Sequence, residues 1–589
     1  MIKKDKMSVS SRQVFIRLIK TMNGQYPLIF LSVFFAFIST ILQLLIPVLT
    51  GRAIDLTVYG GDISNISLWK LLKFMILIIV ASSILTWIMN RINLSITYKL
   101  TQMLRNNLFE HISRLLFSSL DKKKDGDLLQ RLTVDIDQLA DGMIMSFNQF
   151  FTGVISIFVT LYFMFAINFI TALAVVILTP LSLFAASFIS KKSFRLFKKQ
   201  SVDKSKLAGL TDELISELRT VKVFSYEDTA IKRFEKLNDE LSESYKLSVF
   251  ISSVTNPLTR FINAVIYAIV AVIGAVMTIS GSLTVGGLTS FLSYASQYSK
   301  PFNEISGVFA EMQNALASCQ RIFDILDEET EKDNSETLKL PKHINGDIKI
   351  ENMSFSYDKS RKLITDMTLS VKRGQRVAIV GPTGSGKSTL INLLMRFYDP
   401  YEGKIYLDGF ATSSINRSEL RENFAMVLQD TWLKKATVRE NIAYGNENAS
   451  DEEIIKAAKD AHAHSFIKRL KNGYDEVISN DGNSLSQGEK QLICIARAML
   501  KDAPVLLLDE ATSSIDTRTE QKVQKAFLRL MEGRTTFVVA HRLSTIVDSD
   551  IILVMDNGNI VESGTHEELM SKKDYYYRLY MSQFDEGKE

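Results

Sequence analysis

Cysteine is almost absent. Cys319 and Cys494 are the only two among 589 residues. That is too few for a disulfide-stapled secreted fold, and a reduced pair with no structural role is expected. A dominant sign of charge is also missing. The net charge of +4, from 69 basic and 65 acidic residues, is too small to argue for a nucleic-acid partner. Charge of either sign disappears from four stretches: Pro27–Thr50, Phe74–Asn90, Met143–Ile189 and Phe261–Ser299. A bilayer span needs about 20 mostly apolar residues. The third and fourth stretches are long enough for two spans each, turning near Asn168 and near Gly281-Ser282. Six spans are therefore expected, and their length excludes the buried helices of a soluble core. The first run is too long for a cleavable signal peptide, and no small-residue cleavage site follows it.

The loops set the expected orientation. Lys3, Lys4, Lys6, Arg12, Arg17 and Lys20 precede the first span, and residues 91–141 and 190–246 are rich in Lys and Arg. The connections near 55–68, Asn168 and 280–284 have neither. The positive-inside rule then puts both termini and both long loops in the cytosol. The long loops read as helical extensions of the spans.

Composition becomes ordinary after the spans. Residues 328–345 are polar and read as a linker. Short β-like runs follow at Asp347–Asn352, Met367–Val371 and Arg376–Val380, and the last feeds Gly381, Pro382, Thr383, Gly384, Ser385, Gly386, Lys387, Ser388 and Thr389. Strand, glycine-rich loop and helix in this order make a credible P-loop. Its glycines let backbone N–H groups approach phosphate, and the helix N-terminus favours an anion. Lys387 is suited to the β- and γ-phosphates of ATP and Ser388 to Mg²⁺. Downstream come Leu485-Ser486-Gln487-Gly488-Glu489 and Val505-Leu-Leu-Leu-Asp509-Glu510.

With these motifs in order behind six spans, the chain resembles an exporter-type ABC half-transporter. Phe117–Asp135 and Glu217–Phe234 resemble that family's two cytosolic loops, whose short coupling helices dock on the ATPase domains. The implied fold is a polytopic α-helical membrane domain of six transmembrane helices at 1–327, a linker at 328–345, and an α/β P-loop ABC ATPase domain with a helical subdomain at 346–589. The resemblance implies that Asp509 holds Mg²⁺ through water and that Glu510 is the general base for the attacking water. It also implies that Gln429 senses the Mg²⁺ and water site, that His541 contacts the γ-phosphate, that Tyr357 stacks on adenine, and that the D-loop Asp516 faces a second subunit. Alone, a Gln, a His or an aromatic at a strand end is more often structural. Ser486 and the Gly488 backbone are implied to close the ATP site of a partner, so two such domains are needed.

The signature departs from the family's usual Leu-Ser-Gly-Gly-Gln. Gln487 takes the third place and Glu489 the fifth, and Asn480 stands where a glutamate is common. Gln487 adds bulk where backbone must approach phosphate, and Glu489 brings a carboxylate towards an anion. With Glu510 kept, this resembles one half of a heterodimer whose other chain lacks the Walker B glutamate. The expected function is ATP-driven multidrug-type export. The spans hold Gln43, Asn148, Gln149, Asn263 and Gln297 but almost no charge, which favours amphipathic or lipophilic cargo over ions. For each of these polar residues, joining helices is the simpler role. A bacterial inner membrane is the expected location. The alternatives are a homodimeric lipid or peptide exporter and a nucleotide-gated membrane module.

Overall fold

The computed structural model describes residues 11–59, 64–123, 125–331, 338–341, 343–358, 362–428, 431–478, 485–509, 516–539 and 546–585. The chain forms two compact units. One holds Met1–Ser113 and Lys124–Glu328, the other Arg114–Lys123 and Glu329–Glu589.

The first unit is helical. A short α1 (Ser11–Thr21) leads into α2 (Tyr26–Tyr59) and α3 (Ser64–Ser113). The short α4 (Phe117–Leu120) belongs to the other unit. α5 (Asp125–Gln130), α6 (Ile136–Met145) and α7 (Phe151–Ile167) form one run, interrupted by π-helical turns at Arg131–Asp135 and Ser146–Phe150. Then come α8 (Phe169–Ser216), α9 (Leu218–Val223), α10 (Glu227–Ile279) and α11 (Val285–Leu326).

Among the described residues four helices are long and apolar enough to cross a membrane: Tyr26–Val58, Ser67–Ser113, Asp125–Ile167 and Glu227–Ile279. α8 opens with the shorter apolar stretch Phe169–Pro180. The expected turn at Asn168 has a local cause. Its extended backbone breaks the helix, and its side chain accepts from the Ile170 and Thr171 N–H groups, capping α8.

Helix-to-helix hydrogen bonds account for two of the polar residues singled out in the apolar stretches, Asn148 and Gln43. Ser32 donates to Asn93 at 2.5 Å, and the Asn93 amide donates to Asn148 at 2.6 Å, linking α2, α3 and the second π turn. Gln43 donates to Thr86 at 3.4 Å. These bonds join helices, as the simpler reading expects. α2 and α11 touch backbone to backbone: a Cβ on Gly286 would lie 1.9 Å from the Gly51 carbonyl oxygen, so only glycine permits this approach. Asp55 receives the Gly286 N–H at 2.7 Å and the Thr284 hydroxyl at 2.8 Å, holding the start of α11.

The second unit contains two sheets. The antiparallel one has the order β2 (Ile364–Val371), β1 (Ile348–Phe355), β4 (Glu402–Leu407), β5 (Phe410–Ala411). The larger one runs β10 (Asn559–Gly564), β9 (Ile551–Asp556), β3 (Arg376–Val380), β8 (Thr535–Val539), β7 (Val505–Asp509), β6 (Phe424–Val427). Its strands are parallel except β10. Side-chain alternation gives this sheet two buried faces. Val377, Ile379, Val505 and Leu507 pack with the antiparallel sheet and with Leu390 and Leu394 of helix Lys387–Leu394. Ala378, Val380, Leu506 and Leu508 pack on the opposite side with Leu492, Ile493 and Ala496 of helix Gln487–Lys501, and with Val523 and Phe527 of helix Thr517–Met531. Between β6 and β7 lie the helices Val438–Ala443, Asp451–Asp460, His464–Ile467 and Gln487–Lys501.

Candidate functional site

The site lies at the carboxyl edge of the parallel sheet, where ligands of such sheets bind. β3 is buried and ends at Val380, and residues 381–386 turn into helix Lys387–Leu394. Two glycines make that turn possible. Gly386, just before the helix, has φ +100°, and a Cβ on Gly381 would lie 2.1 Å from the Met555 carbonyl oxygen. Lys387 is buried, and its ammonium donates to the carbonyls of Gly381 at 2.8 Å and Pro382 at 2.9 Å. Burial pushes its pKa below the ordinary lysine value, and the charge of Asp509 pulls the other way.

Pro382, Thr383, Gly384 and Ser388 are exposed, Gly386 is half-buried, and Ser385 and Thr389 are buried. The Ser385 hydroxyl has no hydrogen-bond partner among the described residues. A buried orphan hydroxyl in a glycine-rich cradle suits an acceptor-rich group such as phosphate, so the loop fits a nucleotide.

Asp509 ends β7 opposite Val539 of β8, which in turn neighbours β3. Gln429, Glu510 and His541 follow β6, β7 and β8, which run parallel to β3. Those three residues, and Asn480, lie outside the described residues. Tyr357 is 49% exposed, and its hydroxyl donates to Thr389 at 3.2 Å. Phe355 and Tyr398 hold its ring edge-on at 5.0 Å each. The ring is thus tethered to the P-loop helix with its surface partly open.

The signature lies apart from the P-loop. Ser486 caps helix Gln487–Lys501, which packs on the sheet face opposite the P-loop helix. Gly488 is buried in the first turn. Glu489 turns back on the cap: its carboxylate accepts from the Ser486 N–H at 2.9 Å and hydroxyl at 3.1 Å, and its own N–H donates to the Ser486 hydroxyl at 3.3 Å. This is a capping box. Asp516 likewise caps helix Thr517–Met531, accepting from the Thr519 N–H at 3.0 Å. That backbone bond holds its carboxyl below the usual pKa range.

Sequence reasoning did not find the partners of the Arg114–Lys123 segment. Phe117 of α4 stacks on Phe397 with ring centres 4.6 Å apart, and Asp121 accepts from the Tyr398 hydroxyl at 2.9 Å. The aromatic pair Phe397-Tyr398, just past the P-loop helix, was the available signal. A stacked aromatic pair contributes about 0.5–1.5 kcal/mol beyond its buried area. Phe117→Ala is therefore expected to loosen the hold of Arg114–Lys123 on the rest of the second unit by about that amount, measured as faster limited proteolysis within the segment.

Residues 29–302 match the family model of the ABC transporter transmembrane region, and residues 364–513 match that of the ABC transporter. YfiC, an uncharacterized ABC transporter ATP-binding protein of Bacillus subtilis (strain 168), is 37% identical over 562 residues, covering 95% of this chain and 92% of its own. The chain belongs to the ABC transporters. As an ABC transporter it is a multi-pass membrane protein that binds ATP and couples its hydrolysis to export. A fatty acid ABC transporter ATP-binding/permease protein of Mycobacterium bovis is 39% identical over 521 residues, 88% of this transporter and 82% of that protein. The solved structure of a bacterial Atm1-family ABC exporter with ATP bound matches with a TM-score of 0.74 and 27% identity, over 98% of this transporter and 99% of that chain.

Proposed function

We propose that this transporter is one subunit of a two-subunit exporter of amphipathic or lipophilic compounds, working with a second half-transporter that lacks the Walker B glutamate. The observation that carries the two-subunit part is the placement of the two motifs. The signature helix packs on one face of the sheet and the P-loop helix on the other, so the exposed Ser486 is available to a neighbour's nucleotide rather than its own. Exposed apolar groups on and beside α9, Val223 at 72% and Phe224 at 75%, also favour a docking partner.

In this reading 1–327 is the membrane domain with six spans, α8 and α11 supplying the two beyond the four apolar helices. Residues 328–345 are the linker and 346–589 the ATPase domain. The termini and both long loops face the cytosol, and the membrane is a bacterial inner membrane. The backbone of 381–389 wraps the phosphates, Lys387 neutralises the β- and γ-phosphates, and Tyr357 stacks on adenine. Ser388, Asp509 and Gln429 would hold Mg²⁺, which supplies charge neutralisation at the phosphates when bound. Glu510 takes the proton of the attacking water, His541 contacts the γ-phosphate, and Asp516 lies at the subunit boundary. Glu489 keeps the Ser486 hydroxyl engaged, which weakens this signature as the closing element of the partner's site.

A homodimeric lipid exporter is the second reading. It is favoured by the relative named for fatty acids and by the retained Ser486. Purification of the tagged chain from its native membrane, with ATPase assayed on the same material, separates the two. A second ATPase subunit in equal amount, with activity only in the pair, supports the heterodimer. An active dimer of this chain alone rejects it.

A further inference from the structure

α1 roofs a cavity of about 440 Å³, with Phe15 and Ile19 on one side, Phe147 and Phe150 of the second π turn on another, and Met312 of α11 behind. Its size falls in the range of small-molecule sites, ~300–1,000 Å³. Its lining is almost wholly apolar. The two polar side chains in its wall are Tyr26, whose hydroxyl donates to the Ile19 carbonyl at 3.0 Å, and Ser146, whose hydroxyl donates to the Gly142 carbonyl at 2.6 Å. Water needs two to four polar partners in a buried site, and these two hydroxyls, their protons already used, offer only acceptor lone pairs. The fitting occupant is an apolar chain. Part of the wall is a π-helical turn, a distortion frequent at functional sites.

Depth identifies the source of that chain. Leu28 of α2 lines a groove with Trp87, Arg91 and Tyr98 of α3. Trp87 is 68% exposed and Tyr98 61%, and Arg91 follows the uncharged run ending at Asn90. Trp, Tyr and Arg in one groove mark the headgroup level of a bilayer. Tyr26 and Ile29, in the same turn of α2 as Leu28, line the cavity, so the cavity opens at that level. α1 itself reads as an interfacial helix. Val14 and Leu18 are buried, Phe15, Ile16 and Ile19 are exposed, and Lys20 is exposed in the last turn. The apolar exposure continues along α2 through Phe30, Phe34 and Phe37. The roof is fastened, because Arg17 grips Asp327 at 2.6 and 2.7 Å and lies 4.1 Å over the Phe323 ring.

We propose that this cavity holds one acyl chain of a phospholipid from the leaflet bordering α1, as a resident lipid rather than as cargo, with the headgroup phosphate near Lys20. The test uses the full chain with Trp69, Trp87 and Trp432 replaced by Phe, reconstituted in phosphatidylglycerol brominated at mid-chain. One variant carries Phe147→Trp in the cavity wall, the other Phe30→Trp on the bilayer-facing side. Both are quenched in the bilayer. After extraction into lipid-free detergent, Phe30→Trp is expected to recover its fluorescence fully while Phe147→Trp stays quenched. Adding Ser146→Phe, which fills the cavity, is expected to abolish the retained quenching. Leu139→Phe serves the same purpose if Ser146→Phe lowers basal ATPase. Recovery of both probes together, or retained quenching that a cavity-filling change leaves untouched, overturns the proposal.

Discussion

A Lys387→Ala chain is expected to lose ATP binding and turnover together. Lys387 has two tasks in this structure. Its ammonium ties the Gly381 and Pro382 carbonyls at 2.8 and 2.9 Å, giving the loop its curve. It is also the buried cation beneath the place where phosphate fits. Alanine removes the charge and releases the loop. Loss of one preorganised charge-stabilising donor costs about 10²–10³-fold in turnover, and the loosened loop adds to that through weaker binding. Lys387→Arg keeps the charge but not the compact shape, because a planar guanidinium cannot replace an ammonium between two carbonyls. It should recover little. Titration with a fluorescent ATP analogue, beside phosphate release, checks both parts. Unchanged nucleotide affinity in Lys387→Ala would reduce the residue to a shaper of the loop.

A Glu510→Gln chain is expected to behave differently, keeping ATP but failing to hydrolyse it. A positioned general base contributes about 10²–10⁴-fold, and Gln preserves size while removing the proton acceptor. Glu510 directly follows Asp509 at the end of β7, so the substitution leaves the strand undisturbed. In a heterodimer of unequal sites, changing this one residue silences nearly all hydrolysis. Glu489→Gln, which alters only the capping box with Ser486, is expected on the same reading to leave that hydrolysis in place. Persistent hydrolysis in the Glu510→Gln pair would remove the unequal-sites reading.

The sequence made the architecture legible because its signals have chemical causes. Long uncharged runs favour a bilayer, although among the described residues four helices, not six, are long and apolar enough to cross one, and a glycine-rich turn between strand and helix favours phosphate. Asn168 marked its turn because an Asn side chain can cap the following helix. The errors of emphasis were local. The charge that Glu489 brings towards an anion is the plainer signal in Ser486-Gln487-Gly488-Glu489, yet the same spacing is that of a capping box, and the carboxylate folds back on Ser486. The π turns at Arg131–Asp135 and Ser146–Phe150 were invisible, since a single widened turn leaves the apolar period almost unchanged. The approach of Gly51 to Gly286 and the stacking of Phe117 on Phe397 join residues far apart in the chain, and no periodicity reports such pairs.

α8 and α10 have a mechanical consequence. They run 48 and 53 residues without a break and meet at the small α9. At 1.5 Å per residue each is a rod of roughly 70–80 Å, and the two lie side by side along their pairing. Such a pair acts as a lever with α9 at its tip. A tilt of a few degrees at the far end becomes a swing of several ångströms there, and Pro180 and Pro257 are the points at which the rods can bend. Motion at α9 therefore needs no relay of rearranging side chains to be felt in the apolar stretches, and its gain is set by the lengths of two helices.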